Sequence, residues 1–149
     1  MPRIERSIEI EATKDRVWDI ISDLDNEGEY WWGTKEVHNI SRDGNVINRY
    51  IVQNFRNHKI NQKVVLRPKD SIEIQYLEGL TEGAKTIKLE SLGEGRQKVT
   101  AVWDVRFPGI YRLLSSYLAS HVLKGTVGAL QRIKDAAEGR QIQEEPTKA

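Results

Sequence analysis

The stretch Ile4–Trp32, IERSIEIEATKDRVWDIISDLDNEGEYWW, decides the fold. Ile4, Ile8 and Ile10 share one parity, the period of a strand with one buried face. After Ala12 the pattern changes. A helix opens near Thr13 and carries Val17, Trp18, Ile20 and Ile21; Asp23-Leu24-Asp25 and the aromatic cluster Tyr30-Trp31-Trp32 then occupy a second small turn. At the far end of the chain, Ile110, Leu113, Leu114, Tyr117, Leu118, His121, Val122, Ala129 and Ile133 recur at three- and four-residue steps. This spacing predicts one long helix from Pro108 to about Ala137, with the proline at the start, where its missing N–H costs nothing. A curved sheet wrapped around such a helix leaves room between the two, the form of a container for an apolar molecule.

Strand signals fill the middle. Thr34 to Arg42 ends at Asp43-Gly44-Asn45, a hairpin turn, and Val46 to Phe55 follows. Lys59 to Leu66 stops before Pro68; Ile72, Ile74 and Tyr76 alternate with polar residues; Ile87 and Leu89 share a face within Thr86 to Glu90. Beyond Gly93-Glu94-Gly95, Val99, Ala101, Trp103, Val105 and Phe107 line one side of the last strand. With the first strand this makes about seven, joined by short turns, so an antiparallel meander is expected. Gly125 and Gly128 interrupt the final helix at about 1 kcal/mol each relative to alanine, which implies a bend or a close approach. Residues 1–138 read as a single domain and 139–149 as a flexible tail.

A chain of 149 residues is long enough for one domain with a sizeable core. Its 23 basic and 22 acidic residues leave a net charge of +1, which argues against a surface built to neutralise nucleic-acid phosphates. Having no cysteine, the chain has neither disulfides nor thiolate chemistry. The first residues lack the apolar core of a signal peptide, and no apolar run is long enough to span a bilayer, so a cytoplasmic protein without stable membrane insertion is expected.

The words Ser7-Ile8-Glu9-Ile10-Glu11-Ala12 and Val17-Trp18-Asp19-Ile20-Ile21-Ser22-Asp23, followed by Tyr30-Trp31-Trp32 and Val37, resemble the opening of the START-like superfamily. This superfamily is also called birch-pollen-allergen-like, or SRPBCC. The similarity is to its polyketide cyclase/dehydrase and coenzyme-Q-binding branch, and it extends over Arg3 to Glu138. Gly33-Thr34 stands where that branch often has proline. The resemblance implies an α+β, helix-grip fold: a curved antiparallel sheet of about seven strands around a long C-terminal helix, with two small helices after the first strand. Members bind lipids, quinones, polyketides or plant hormones, and a few are enzymes; they share no common catalytic motif.

The expected ligand-binding residues are Trp32, Tyr50, Tyr76, Ile87, Leu89, Trp103, Tyr117 and His121, chosen for a shared parity or helical stripe and for rings with polar tips. No metal site or cofactor is expected, and the sequence leaves any catalytic residue open. His121, Tyr50 and Tyr76, with Asp104 behind them, are the candidates if the cavity is that of a cyclase, dehydrase or hydrolase. Asp23-x-Asp25-x-Glu27-Gly28 imitates the start of a calcium loop, but Thr34 stands at the twelfth position, where a bidentate glutamate is required. Lys85, Lys88, Glu90, Arg96 and Lys98 read as a solvated outer face. The expected partner is a hydrophobic small molecule such as a lipid, quinone or polyketide, not a nucleic acid. The rival expectations are an enzyme acting in the same cavity and a protein-interaction domain with a filled one. The turn at Gly79 to Gly83 and the segment Asp25 to Gly33 are expected to gate the space.

Overall fold

Alternating side chains build seven strands: Arg3–Ile10 (β1), Thr34–Asp43 (β2), Val46–Gln53 (β3), Lys59–Arg67 (β4), Ser71–Tyr76 (β5), Glu82–Gly93 (β6) and Arg96–Arg106 (β7). The computed structural model describes residues 3–54, 56–77, 82–107 and 109–142. All seven strands join one antiparallel sheet in the order β1-β7-β6-β5-β4-β3-β2. From β2 to β7 the chain is a meander; the long-range pairing is β1 on β7. Irregular registers at Thr34/Glu36 and Asn39/Ser41 in β2 help to curve the sheet.

Helix α1, Lys14–Ile21, starts where the sequence places it: the extended Thr13 is its N-cap, and its hydroxyl accepts from Arg16 N–H at 3.3 Å. A 3-10 turn follows over Leu24–Glu29. Three residues per turn set Leu24 and Glu27 on the same side, and both are buried. The C-terminal helical stretch differs from the expected single helix. Gly109–Leu114 is a 3-10 turn, and the α-helix, α2, occupies Ser115–Ala137. Pro108, the expected start, lies outside the described residues, as do Gly79 of the expected gate and most of the expected tail.

The concave face of the sheet, α1, Trp31 and the C-terminal half of α2 enclose the main core. The buried stripe of α2 is Leu118, Thr126, Ala129, Leu130, Arg132, Ile133 and Ala137, with Val122 half-buried. A smaller cluster of Val105, Phe107 and Leu118 joins the start of α2 to the end of β7. The helix end is tied down by Arg16, whose Nε donates to Ala137 O at 2.6 Å and Nη2 to Ala136 O at 2.9 Å. Of the two helix glycines, Gly128 has a packing reason. A Cβ there would lie 2.9 Å from Arg132 Nη1, so its absence lets the guanidinium fold back along the helix. At Gly125 no atom stands within 4 Å of such a carbon.

Candidate functional site

Strand alternation that puts isoleucines and valines on the concave face puts several polar residues there too. Arg49 lies between the inward Ile47 and Ile51, Gln62 between Ile60 and Val64, and Lys85 two residues before Ile87. The registers align them across the sheet. Arg49 pairs with Gln62, Gln62 with Tyr76 and Tyr76 with Gly83 in one row. The next row runs Ile47, Val64, Ile74, Lys85, Trp103 and Ile4. Gly83 is dictated by this packing. It has φ +118, and a Cβ would come within 2.3 Å of Asp104 O.

Above these rows the 3-10 turn lowers Glu27 into the interior. Its Oε1 stands 2.5 Å from Arg49 Nη2, and its Oε2 accepts from Thr34 Oγ1 at 3.0 Å. Arg49 Nε donates to Gln62 Oε1 at 2.9 Å. Glu27, Arg49, Gln62, Tyr76 and Lys85 are all buried, Arg49 being 1% exposed and Lys85 3%. The contact between Glu27 and Arg49 is one of charges more than of aligned hydrogen bonds. Among the described residues neither Glu27 Oε1 nor either Arg49 Nη atom finds a hydrogen-bond partner, and the Trp103 indole N–H is also unpartnered.

Lys85 is the least conventional member. Its Nζ lies 3.2 Å from the ring centroid of Trp31 and 4.9 Å from that of Trp103, held by cation–π attraction. Among the described residues it has neither an ion-pair partner nor a side-chain hydrogen bond. Burial lowers its pKa to about 7, with Glu27 pulling it back up and Arg49 adding to the depression. Burial and the Glu27 charge also push the Tyr76 phenol well above its usual range, against the opposing effects of Arg49 and Gln62, so Tyr76 stays a neutral donor. Trp31 and Tyr76 both meet Trp103 edge-on, at 6.2 Å and 5.9 Å between centroids.

The expected site residues divide. Tyr76, Ile87 and Leu89 are buried on the concave face, and Trp103 is half-buried beside them. Trp32 is half-buried under the Arg132 guanidinium, 3.7 Å from its ring, while Arg132 Nε donates to Tyr30 O at 2.8 Å. Its neighbour Trp31 supplies the interior ring. Tyr50 is a correction: it alternates with the inward Arg49 and Ile51, so it stands on the convex face, stacked on His38 with Lys59 Nζ 4.3 Å above it. Tyr117 and His121 are also corrections. They stack on each other in solvent, with Tyr117 65% exposed, because the buried stripe runs through the adjacent row Leu118 and Val122, about 100° around the helix. Asp104 is exposed as well. Lys85, assigned to the outer face by its type, is overturned by its parity with Ile87 and Leu89. Glu27 is engaged by Arg49 rather than held in a cation loop.

The interior cluster is withdrawn from solvent. An open cleft of about 380 Å³ lies to one side, where the end of α1 and the 3-10 turn face the β2–β3 hairpin, with Trp18, Leu24, Asn39, Ile47 and Leu66 among its walls. Among the described residues no helix is long and apolar enough to cross a membrane.

No curated protein sequence matches. Solved structures share the fold at low identity. The Zhui aromatase/cyclase of a Streptomyces species has a TM-score of 0.74 at 16% identity, covering 92% of this chain and 93% of that one. A Thermus thermophilus protein reaches 0.73 at 16% identity, covering 91% and 96%. A START superfamily protein from Mycobacterium smegmatis reaches 0.64 at 14%, covering 88% and 98%. Residues 1–138, which span the whole helix-grip unit and its interior cluster, match the family described as polyketide cyclase / dehydrase and lipid transport, and the chain belongs to that family.

Proposed function

We propose that this protein binds an apolar small molecule bearing an oxygen-containing head, with the head against Arg49, Lys85 and Tyr76 and the body along Trp31 and Trp103. The observation that carries this reading is the buried charge cluster. Withdrawing a guanidinium, a carboxylate and an amine from water costs several kcal/mol per ion, and a hydrophobic core of the same shape would avoid that cost. Arg49 Nη1 and the Trp103 indole N–H have no hydrogen-bond acceptor among the described residues, so a carbonyl, enolate or phenolate oxygen would satisfy donors left without one. Apolar surface of the ligand would add about 25 cal/mol per Å² buried, before ordering costs. Because the cluster is closed to solvent, binding requires side chains to move aside, which slows association below the usual 10⁵–10⁷ M⁻¹s⁻¹ or so.

A second reading, turnover at the same site, is favoured by one observation: Lys85 is an amine near neutrality facing Arg49 and Glu27. Such an amine can take a proton beside a ketone while Arg49 stabilises the enolate, the first half of a cyclisation or dehydration. His121 and Tyr50 take no part in it, since both stand outside.

Native mass spectrometry, followed by solvent extraction of any co-purified compound, tests the binding reading. Lys85→Met should keep the fold and retain about tenfold less of the compound, as expected when one charge-assisted contact is lost. Equal retention by wild type and variant would place the compound elsewhere, and consumption of the compound on incubation would favour turnover.

A further inference from the structure

We propose that Lys85 is a covalent carbonyl-capturing residue, its Nζ forming an imine with an aldehyde or ketone group of the bound apolar ligand. This deepens the binding reading and rests on it. Three structural observations carry it. The amine sits inside the grip, 3% exposed, so a carbonyl compound reaching it leaves bulk water behind. Among the described residues no carboxylate or side-chain acceptor holds it, so no ion pair keeps the nitrogen protonated. Finally, the rings of Trp31 and Trp103 on which it lies form an apolar cleat for the carbon chain an imine would attach.

The step balances without an oxidant or reductant. The nitrogen lone pair attacks the carbonyl carbon and forms the C–N bond. The carbonyl oxygen collects the two protons lost by nitrogen and departs as water, leaving C=N. Water exclusion opposes the return reaction, and the product replaces a poorly placed ammonium by a group that is neutral when unprotonated. Arg49 Nη1 is the unpartnered donor on the neighbouring row, suited to a second oxygen on the same ligand, so a β-dicarbonyl compound fits better than a simple aldehyde.

Competition from surface lysines is controlled by protonation. With a pKa of about 7, roughly half of Lys85 is free amine at pH 7. A solvated lysine near 10.4 is free in about one part in 2,500, so Lys85 has an advantage on the order of a thousandfold before its lower basicity is counted.

The test uses the full chain, with decanal and a long-chain β-diketone as probes at pH 7. Cyanoborohydride is added to the decanal reaction to reduce C=N to a stable secondary amine. Peptide mass spectrometry then locates the adducts. The expected result is one dominant adduct on Lys85, lost in Lys85→Met, and for the diketone a new near-ultraviolet enaminone band that Lys85→Arg also lacks. Adducts spread over surface lysines, with Lys85 unmodified, would overturn the proposal. If a co-purified compound is nevertheless recovered in a Lys85-dependent manner, the binding reading survives and only the covalent step fails. Absence of both removes both.

Discussion

Replacing Lys85 by methionine should stabilise the protein, by an amount that depends on pH. The side chain becomes one heavy atom shorter and stays apolar to its end, and the amine that lies over the Trp31 ring is gone. In the folded chain the lysine pKa is about 7, against 10.5 for the solvated group. A base whose pKa is depressed by folding binds more protons when unfolded, so wild-type stability rises with pH between those two values. Below pH 7 the penalty is fully present, and above 10.5 it disappears. At 1.36 kcal/mol per pKa unit, the gap of about 3.5 units implies a penalty of about 4–5 kcal/mol at pH 6 and about 1 kcal/mol at pH 10. The methionine variant escapes both. Urea denaturation of wild type and variant at several pH values between 6 and 10 should show the variant's advantage shrinking by about 4 kcal/mol across that range. Taking the difference cancels every other titrating group common to the two chains. An advantage independent of pH, or a variant less stable at pH 6, would refute the placement of an uncharged-prone amine between the indoles.

Four further outcomes follow from the same structure. Arg49→Met alone should cost about 3–5 kcal/mol because Glu27 is left buried and unpaired, and Arg49→Met with Glu27→Gln should recover most of it; additive losses in a double-mutant cycle would argue against the pair. Gly83→Ala should destabilise by more than about 1 kcal/mol, since its Cβ meets Asp104 O at φ +118; an unchanged melting temperature would show that β6 does not approach β7 there. Tyr117→Ala and His121→Ala should each lie within about 0.5 kcal/mol of wild type and leave ligand retention intact, and a large loss in either measurement would move the site toward the start of α2. Glu138 is held down to about 2 by bonds from Lys134 and from Glu11 N–H, so its contribution is present above the ordinary carboxylate range and is lost as pH falls toward 2; acid unfolding of Glu138→Gln that matches wild type would contradict this.

Much of the fold was legible because it depends on period. Ile87 and Leu89, Val99 and Ala101, and the turn at Gly44 were read from alternation and turn chemistry, and the structure has them where expected. The site is less legible because residue type and strand parity give opposite placements for its polar residues. Lys85 has the parity of Ile87 and Leu89, and Arg49 that of Ile47 and Ile51, so the signal for an inward charge was present in the same pattern that placed the core. A lysine in a strand is usually on the outside, and at position 85 parity prevails over type. Glu27 carried no comparable signal. Its burial depends on three-residue periodicity in a turn only six residues long, and on an arginine contributed by a strand much later in the chain. On α2, the row Tyr117–His121 carries rings with polar tips and the row Leu118–Val122 is aliphatic, both at helical spacing, and docking against β7 selects the second.

The pairing of β1 with β7 has a consequence for how the molecule is made. Arg3 meets Asp104 and Ile10 meets Gln97, so β1, made before the other six strands of its sheet, cannot find its neighbour until they have been made. The hairpins from β2 to β7 are local and can form as they emerge. Closing the β1–β7 loop carries an entropic cost of about 4 kcal/mol, recovered only when α1 and α2 seal the core over it. During that interval β1 is an unpaired edge with isoleucines on one face, and β7 offers a matching open edge of its own. Two nascent chains could exchange first strands through that gap. The alternating Glu5, Arg6 and Glu9 on β1, all exposed in the finished fold, give the waiting strand charges that discourage such a trade.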